Sequence, residues 1–326
     1  QPCKKFIIVK NWKVIVFGYL FPGILIVSFC YVVQMNKGIP SRFEMHIYEQ
    51  LNTLNAFSNH IRSSCHSSNT PEQFPNPDMC QLGVAKKNID FLVLGDSHAN
   101  SYATMLDVWA KQANLRGYDV TQSSTFYLPD VQMYQLKNGK FIEYPIFEQR
   151  NKKISHYLKN HRYNTIVLAG YYNYYLSENV KLKSSFNLSS NENFIWSLKK
   201  AIGNATQSSK QVILILDVPQ LKTVSADCSL RAEIIHSKNL CHQKLDDIKQ
   251  ENLKFNRILV QVKEDYPNLL VIDPNQVFCN KVNCATTLNN MPLYRNKDDN
   301  HLNAIGAKIL AEVYLQQYKN PLIFRN

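Results

Sequence analysis

The chain has 326 residues, of which 45% are hydrophobic and 19% are charged, and its formal net charge at pH 7 is +12. This composition is typical of a folded protein and excludes general disorder. The lysines are scattered and no nucleic-acid-binding motif is present. The positive charge therefore favours an anionic glycan or membrane surface, or simply a solvated basic surface, over nucleic acid.

The first feature along the chain is an uncharged apolar run from Val14 to Val33. It is long enough to cross a hydrocarbon core of about 30 Å, and no small-residue cleavage site follows it, so a membrane span is favoured over a cleaved signal peptide. More lysines precede the run than closely follow it, which puts the N-terminal side in the cytoplasm and everything after the run outside. The chain also starts without Met, as expected for a piece of a longer protein.

These features divide the chain into four parts. We predict a cytoplasmic stub over 1–13, a transmembrane helix over 14–34, a linker with a helix over 35–79, and a compact domain over 80–326. The linker helix is predicted from apolar residues at helical spacing between Met45 and Ile61, and a loop rich in Ser, Asn and Pro follows from Ser63 to Pro77.

In the compact domain, short apolar runs alternate with longer amphipathic segments. The runs predict strands at Phe91–Leu94, Gly117–Ser123, Thr165–Ala169, Gln211–Asp217 and Leu269–Asp273. The longer segments predict helices at Ala99–Leu115, Phe147–Asn160, Phe194–Ala205, Lys244–Val262 and Ala304–Tyr318. This alternation predicts an α/β fold, a three-layer α/β/α sandwich with a mainly parallel sheet.

The stretch that organises the domain is Gly95-Asp96-Ser97-His98, directly after the first strand. Open α/β sheets bind ligands at the carboxyl ends of their strands, so a serine on a turn there exposes its hydroxyl at the sheet edge. Asp96 is expected to fix this turn by bonding backbone amides, and His98 is expected to pack or bond locally. Ser97 is therefore the candidate nucleophile.

A serine nucleophile needs a base, and the base needs an orienting acceptor. Near the end of the chain, Asp298-Asp299-Asn300-His301 offers both from one loop. Ser97, Asp298 and His301 thus form a candidate triad, with Asp299 as the rival orienter. The alternative is that Ser97 is an ordinary turn residue and His301 an ordinary loop residue.

The six cysteines after the apolar run lie in pairs that are close in sequence. In an oxidising compartment an even number of cysteines favours disulfides, although several connectivities are open. We expect three local bridges, Cys65–Cys80, Cys228–Cys241 and Cys279–Cys284. No CxxC pair or other metal-ligand pattern is present, so no zinc site, other metal or cofactor is expected.

The two motifs of the candidate triad, Gly95-Asp96-Ser97-His98 and Asp298-x-x-His301, resemble the nucleophile block and the last block of the SGNH (GDSL-like) hydrolases. More closely, the chain from about residue 14 to its end resembles the extracytoplasmic SGNH domain fused to the C-terminus of membrane acyltransferases of family 3. Those proteins are bacterial O-acetyltransferases of surface polysaccharides. Their last membrane helix is followed by a Gly-x-Pro-x-Arg-Phe segment similar to the stretch from Gly38 to Phe43.

The resemblance also suggests which groups stabilise an oxyanion. In many members of the superfamily, a second block containing glycine presents a backbone amide. The turn from Ser123 to Thr125 has no glycine, and Ser124 is the candidate there. The third block is Gly-x-Asn in the family, and Gly170-x-x-Asn173 is one residue longer, with Asn173 as the candidate donor.

Three tyrosines beside Asn173 are candidates for contact with a sugar. Tyr171, Tyr172 and Tyr174 follow the strand that ends at Ala169. Their rings are large amphipathic faces, which suits stacking on a sugar ring. The alternative is that some of them pack inward, and we expect a mixture of core and cleft positions.

Three functions stay open. The leading hypothesis, which the resemblance implies, is O-acyl transfer by the Ser-His-Asp triad, most simply O-acetylation of a cell-envelope polysaccharide or lipopolysaccharide sugar. The second is hydrolysis by the same triad, as an esterase or deacetylase. The third is an inactive, membrane-tethered glycan-binding module. The expected partners are the membrane, a glycan acceptor and a multi-helix acyltransferase domain of the same full-length chain, at the bacterial inner membrane with the compact domain in the periplasm.

Overall fold

The computed structural model describes residues 12–36, 38, 43–56, 65–66, 73–237 and 241–323. The chain divides into two compact units, with the boundary after Glu49. The predicted continuation of the linker helix to Ile61, and most of the segment from Gly38 to Phe43, lie outside the described residues.

The first unit contains one long helix, α1 (Trp12–Met35), which includes a π-helical stretch at Val16–Leu20. Its apolar side chains are exposed along its length. Within the described ranges, it is the one helix that is long and apolar enough to cross a membrane. The run from Val14 to Val33 is therefore helical, as a membrane span requires.

The remaining elements alternate along the rest of the chain. The helices are α2 (Met45–Asn55), α3 (Ser97–Ser101), α4 (Ala103–Gln112), α5 (Pro145–Asn160), α6 (Tyr172–Tyr175), α7 (Ser190–Ser208), α8 (Cys228–Ile234), α9 (Leu245–Asp265) and α10 (Ala304–Gln317), with a 3-10 turn at Pro274–Val277. The strands are β1 (Gln81–Gly83), β2 (Phe91–Gly95), β3 (Arg116–Thr121), β4 (Gln132–Lys137), β5 (Lys140–Glu143), β6 (Tyr163–Ala169), β7 (Val180–Lys183), β8 (Ser209–Ile215), β9 (His242–Lys244), β10 (Leu270–Ile272), β11 (Asn283–Ala285), β12 (Thr287–Leu288) and β13 (Met291–Pro292).

A six-stranded sheet organises the second unit, in the order β1-β3-β2-β6-β8-β10. The five strands from β3 to β10 are parallel, and β1 pairs antiparallel with β3 at one edge. In β2 all five residues are buried, as expected for a strand covered on both faces. The predicted mainly parallel sheet is confirmed, with a short antiparallel strand added.

Helices cover both faces of this sheet and make three layers. On one face, Leu92 and Leu94 of β2 join a core cluster with apolar side chains of α5, α7 and α9. Helices α4 and α10 pack against each other on the opposite side, where Trp109 donates to the carbonyl of Ala311 and its ring lies 4.9 Å from that of Tyr314. The α/β/α sandwich is confirmed.

Two further features differ from the sequence expectation. The helix predicted from Ala99 begins earlier, at Ser97, and is broken at Tyr102 into α3 and α4. The strands β5-β4-β7 form a separate antiparallel sheet that the alternation did not predict. Its hairpin turns at Asn138 and Gly139, both with positive φ, and Asn-Gly is the dipeptide that such turns favour.

All three local disulfides are confirmed, joining Cys65 to Cys80, Cys228 to Cys241 and Cys279 to Cys284. The last bridge lies between β10 and α10, in the stretch that leads to the Asp298–His301 loop. Cross-links in such irregular segments limit the conformations of the unfolded chain.

Candidate active site

The candidate site lies at the carboxyl edge of the parallel sheet. Gly95, the last residue of β2, pairs with Thr121 of β3 on one side and with Ala169 of β6 on the other. Ala169 pairs in turn with Ile215 of β8. The residues that follow these strand ends therefore meet at one rim, which is where open α/β sheets bind ligands.

The turn after β2 depends on a glycine and a carboxylate. A Cβ on Gly95 would lie 1.9 Å from the carbonyl oxygen of Ala169, so only glycine fits this close approach between strands. Asp96 is the N-cap of α3, and its side chain accepts from the backbone amide of His98 at 2.9 Å and from that of Tyr171 at 3.0 Å. The hydroxyl of Tyr175 also donates to it. This carboxylate fixes the turn, as expected, and presents Ser97 at the start of α3.

The loop before α10 brings a histidine to this serine. The Oγ atom of Ser97 lies 2.8 Å from Nε2 of His301, across 204 residues of sequence. On the other side of the ring, Nδ1 of His301 lies 3.1 Å and 3.2 Å from the two carboxylate oxygens of Asp298. The structure thus brings together the three residues of the candidate triad, in the order that nucleophile, base and orienter require.

Asp298 is itself held by its own loop. Its Oδ1 atom accepts from the backbone amides of Asn300 and His301, and the guanidinium of Arg295 lies 2.6 Å from its Oδ2. Burial would raise the pKa of Asp298, but the bond to His301 and the nearby charges outweigh it and lower that pKa. The carboxylate is therefore ionised at neutral pH. Arg295, only 6% exposed, was not anticipated from the sequence.

Asp299, the rival orienter, faces elsewhere. Its carboxylate accepts from the side-chain amide of Gln220 at 2.9 Å, and its carbonyl accepts from the amide of Leu221. It therefore ties the loop to the segment after β8.

The base is neutral in this environment. Burial lowers the pKa of His301 to about 4, against the bond to Asp298, which raises it. A neutral imidazole with its proton on Nδ1, directed at Asp298, leaves a lone pair on Nε2 facing the Ser97 hydroxyl. The pair is thus ready for proton transfer from oxygen to nitrogen.

A second histidine lies against the first. His98 is 2% exposed, its Nδ1 atom lies 2.8 Å from the carboxylate of Asp217, and its ring centroid lies 4.3 Å from that of His301. On another side it stacks on Tyr171 at 4.3 Å. The sequence predicts that His98 packs or bonds locally and gives Asp217 no role, although Asp217 follows a parallel strand just as Asp96 does.

The proposed oxyanion residues are placed differently from each other. Ser124 follows β3 at the same rim as Ser97 and has a φ of 53°, the left-handed region that favours glycine. The turn therefore keeps a glycine-like shape without a glycine. Asn173 lies in α6, and its side-chain nitrogen donates to Asn252 at 2.7 Å. One of the two amide hydrogens of Asn173 is therefore used inside the domain, so an oxyanion would have to bind the other, and the role of Asn173 as donor stays a prediction.

The three candidate tyrosines also separate. Tyr172 is buried, its hydroxyl donates to the carbonyl of Ile215, and its ring stacks on Phe255 at 4.0 Å. It is a core residue and not a sugar platform, because both its ring and its hydroxyl are occupied inside the domain. Tyr171 and Tyr174 are half-buried.

Near Ser124, His66 contributes contacts that the sequence did not reveal. Its two ring nitrogens lie 3.2 Å from the hydroxyl of Thr121 and 2.8 Å from that of Ser123. It stands next to Cys65 of the first disulfide. A cross-linked segment therefore supports the turn that carries Ser124.

An α/β/α sandwich with Ser97 after a central parallel strand and an Asp-x-x-His loop before the last helix defines a domain of the SGNH class. The family model described as "SGNH domain (fused to AT3 domains)" matches residues 64–316, and the chain belongs to that family. Among curated proteins, none matches this chain.

Several solved structures are similar. The periplasmic domain of a lipopolysaccharide acetyltransferase from Salmonella ser. Paratyphi A is 14% identical, with 71% of this chain and 84% of that chain covered and a TM-score of 0.49. A family two carbohydrate esterase from Clostridium thermocellum is 11% identical, with 74% and 67% covered and a TM-score of 0.42. A catalytic mutant of Axe2, an acetylxylan esterase from Geobacillus stearothermophilus, is 12% identical, with 74% and 99% covered and a TM-score of 0.39.

Proposed function

We propose that the second unit is an acyltransferase in which Ser97 is the nucleophile, His301 the base and Asp298 its orienter. The observation that carries the proposal is the 2.8 Å contact between Ser97 Oγ and His301 Nε2, with Nδ1 of the same ring bonded to Asp298. A hydroxyl, an imidazole and a carboxylate in this order are the groups that acyl transfer needs.

The first half-reaction forms an acyl-enzyme. Ser97 Oγ attacks the carbonyl carbon of an acyl donor while its proton passes to Nε2 of His301. Asp298 stabilises the imidazolium, and backbone amides at Ser97 and Ser124 are our candidates for the oxyanion. When the tetrahedral intermediate collapses, the bond to the leaving group breaks and His301 returns the proton to it. The acyl group is then an ester on Ser97.

The second half-reaction decides between transferase and hydrolase. His301 takes a proton from an acceptor hydroxyl, the acceptor oxygen attacks the acyl-enzyme, and Ser97 Oγ leaves with the proton from His301. Membership of a family fused to AT3 domains supports a glycan hydroxyl as acceptor, with O-acetylation of an envelope polysaccharide or lipopolysaccharide sugar as the specific reaction. A multi-helix AT3 domain would then be the partner that supplies the acyl group.

Location follows from the same features. We propose a cytoplasmic stub over residues 1–13, a membrane span over 14–34, a linker over 35–79 and the acyltransferase domain over 80–326, outside the bacterial inner membrane. The long apolar helix supports the span, and three disulfides support an oxidising compartment such as the periplasm.

Hydrolysis is the second candidate, and solvent access to the triad favours it. The side chains of His301 and Asp298 are 17% and 23% exposed, so water reaches the loop that would activate an acceptor. With water in place of a sugar hydroxyl, the same steps give an esterase or deacetylase of glycan acyl esters.

One experiment tests both candidates and the inactive alternative. The full chain in detergent is given an acetyl donor with and without an oligosaccharide acceptor, and acetate release and acetylated product are both measured. Ser97→Ala is expected to abolish both, together with labelling by a serine-directed phosphonate. Ser209→Ala is the matched control, because that hydroxyl lies at the amino end of β8 and, among the described residues, bonds only backbone carbonyls. If Ser97→Ala keeps the activity and the labelling of wild type and of Ser209→Ala, catalysis by Ser97 is wrong and the proposal fails. If the wild-type chain gives neither acetate nor acetylated product, the inactive binding module is favoured instead.

A further inference from the structure

A pair made of the buried His98 and the half-buried Asp217 lies beside the triad and takes no part in the proposed reaction. The pair joins the first turn of α3 to the end of β8, 119 residues apart in sequence. The histidine of this pair is too deeply buried to touch a substrate: less than 1 Å² of His98 Nε2 is accessible, and that nitrogen has no partner in the part of the chain that is described. Whatever His98 contributes must act through its neighbours.

The ring of His98 is fixed in place on three sides. Asp217 bonds Nδ1 at 2.8 Å, Tyr171 stacks on the ring at 15°, and His301 contacts it at a tilt of 46°. The carboxylate of Asp217 is itself fixed, since it also accepts from the amide of Val218 at 2.9 Å. Neither member of the pair can rotate without breaking these contacts.

The segment after β8 also forms hydrogen bonds with the loop that carries His301 and with Tyr294 just before it. Gln220 donates to Asp299, Leu221 donates to the same residue through its backbone, and Tyr294 donates to the carbonyl of Pro219 at 2.9 Å. The segment from Asp217 to Leu221 therefore contacts both the helix that carries Ser97 and the loop that carries His301. The relative position of this helix and this loop sets the distance between the Ser97 hydroxyl and the His301 imidazole.

We propose that His98, anchored by Asp217, is a positioning residue that holds the imidazole of His301 against Ser97. The inference rests on the proposed acyl transfer. His98 fills the space beside His301, so it limits rotation of that ring and keeps water from that side. Misplacement of a catalytic group by about 1 Å costs about 100-fold in rate, which is the scale on which such a residue acts.

The charge of His98 gives its positioning role a second observable effect, a change in the pKa of His301. Burial works to lower the pKa of His98, but the charge and hydrogen bond of Asp217 outweigh it and raise that pKa. A proton on His98 works to lower the pKa of its neighbour His301. The other charged groups facing His301 are Asp298 and Arg295 of its own loop, and Asp96 and Asp298 also act on His98.

The test uses His98→Phe, which keeps a ring, and Asp217→Asn, which keeps an acceptor but removes the charge. For a chromogenic acetyl ester, both are expected to lower kcat by about 10- to 100-fold with KM nearly unchanged. Both are also expected to move the pKa of His301 upwards, towards the ordinary histidine value of about 6.5. That pKa is read by NMR of the full chain with labelled histidines, with the His301 signal assigned by its loss in His301→Gln.

Asp273→Asn is the matched control. Asp273 follows the neighbouring strand β10 and caps the 3-10 turn through the amide of Asn275 at 2.9 Å. It is a half-buried carboxylate at the same sheet edge without contact to His98, so its loss is expected to leave kcat and the His301 titration unchanged. If His98→Phe does not fold, His98→Gln takes its place.

The outcomes separate the two proposals. A wild-type chain without any acyl transfer or hydrolysis overturns the proposed function, whereas the His301 titration still tests the contact with His98. If kcat and the His301 pKa in both variants match those of wild type and of Asp273→Asn, His98 is only a packing residue and the inference is wrong.

Discussion

Replacement of Asp298 by asparagine tests the orienter most directly. In the structure, Oδ1 of Asp298 accepts from the backbone amides of Asn300 and His301 and lies 3.1 Å from Nδ1 of His301, whereas Oδ2 faces Arg295 at 2.6 Å and the same Nδ1 at 3.2 Å. An asparagine keeps its oxygen for the two amides, which leaves its NH₂ group at the Oδ2 position. That group would face two other donors.

The consequence for His301 is a change of tautomer. Because the asparagine oxygen already accepts from two backbone amides, the NH₂ group beside Nδ1 favours the imidazole with its proton on Nε2, where it faces Ser97 and cannot accept the serine proton. The equivalent change in serine proteases lowers kcat by about 10⁴-fold. We expect a loss of about 10³- to 10⁴-fold here, which corresponds to roughly 4 to 5.5 kcal/mol in the activation barrier.

The free energy of unfolding should change less than the activation barrier. Arg295 loses a charge-assisted hydrogen bond, which is worth about 1.5 to 3 kcal/mol, while the two bonds from backbone amides are retained. Urea unfolding of the purified chain measures this cost, and kcat for a chromogenic acetyl ester is measured well below the unfolding transition. A loss of rate in fully folded protein is then caused by the change of tautomer and not by unfolding.

Asp299→Asn is the matched control, one residue away. Its carboxylate accepts only from Gln220 among the side chains of the described residues, and an asparagine oxygen can still accept that bond. Its rate should stay within about twofold of wild type, as for a surface change away from the reacting groups. Equal losses in the two variants, or a larger loss in Asp299→Asn, would refute the reasoning.

Two further predictions concern pH and the turn that carries Ser124. Because His301 has a lowered pKa of about 4, kcat/KM should be constant from neutral pH to about pH 5 and fall about tenfold per unit below pH 4; an acid limb near pH 6.5 would contradict this. The unfolded chain binds the His301 proton at about pH 6.5, so this group should lower stability by roughly 3 kcal/mol as pH falls from 6.5 to 4, measured by urea unfolding. Ser124→Gly keeps the backbone amide at a φ of 53° and should keep activity within about twofold. Ser124→Val, with a β-branched side chain at that φ, should lose about 1 kcal/mol or more of stability. If Ser124→Gly, which lacks the hydroxyl, loses activity while it stays folded, the amide role is wrong.

Local patterns in the sequence account for the sheet and the two motifs. Four buried apolar residues before Gly95 predict β2, and the glycine that must follow it marks where the strand meets its neighbour β6. Asp298 and His301 are three residues apart on one loop, so their contact is local and can be read from spacing. The contact of His301 with Ser97 required the additional rule that parallel strands end at one rim.

Positions that depend on packing between distant segments could not be read in this way. Tyr172 and Tyr174 are two residues apart, and nothing in their neighbourhood distinguishes the core position from the half-buried one until α6 forms. Asn173 matches a family motif with one extra residue, and in the helical turn its amide meets Asn252 of α9. The hairpin turn at Asn138 and Gly139, by contrast, could have been predicted locally, because Asn-Gly is typical of two-residue β-hairpin turns.

The ends of three parallel strands show how one sheet edge divides its carboxylates among different tasks. Asp96 after β2 binds backbone amides, Asp273 after β10 caps a 3-10 turn, and Asp217 after β8 binds the imidazole of His98. Each position is equivalent in topology, and the partner decides the role. His98, which Asp217 binds, follows Ser97 in sequence and contacts His301. Loss of the Asp217 carboxylate should therefore affect Ser97 and His301, although Asp217 contacts neither of them. Its effect on rate and on the His301 titration, set against that of Asp273, therefore separates control of the triad from support of the fold.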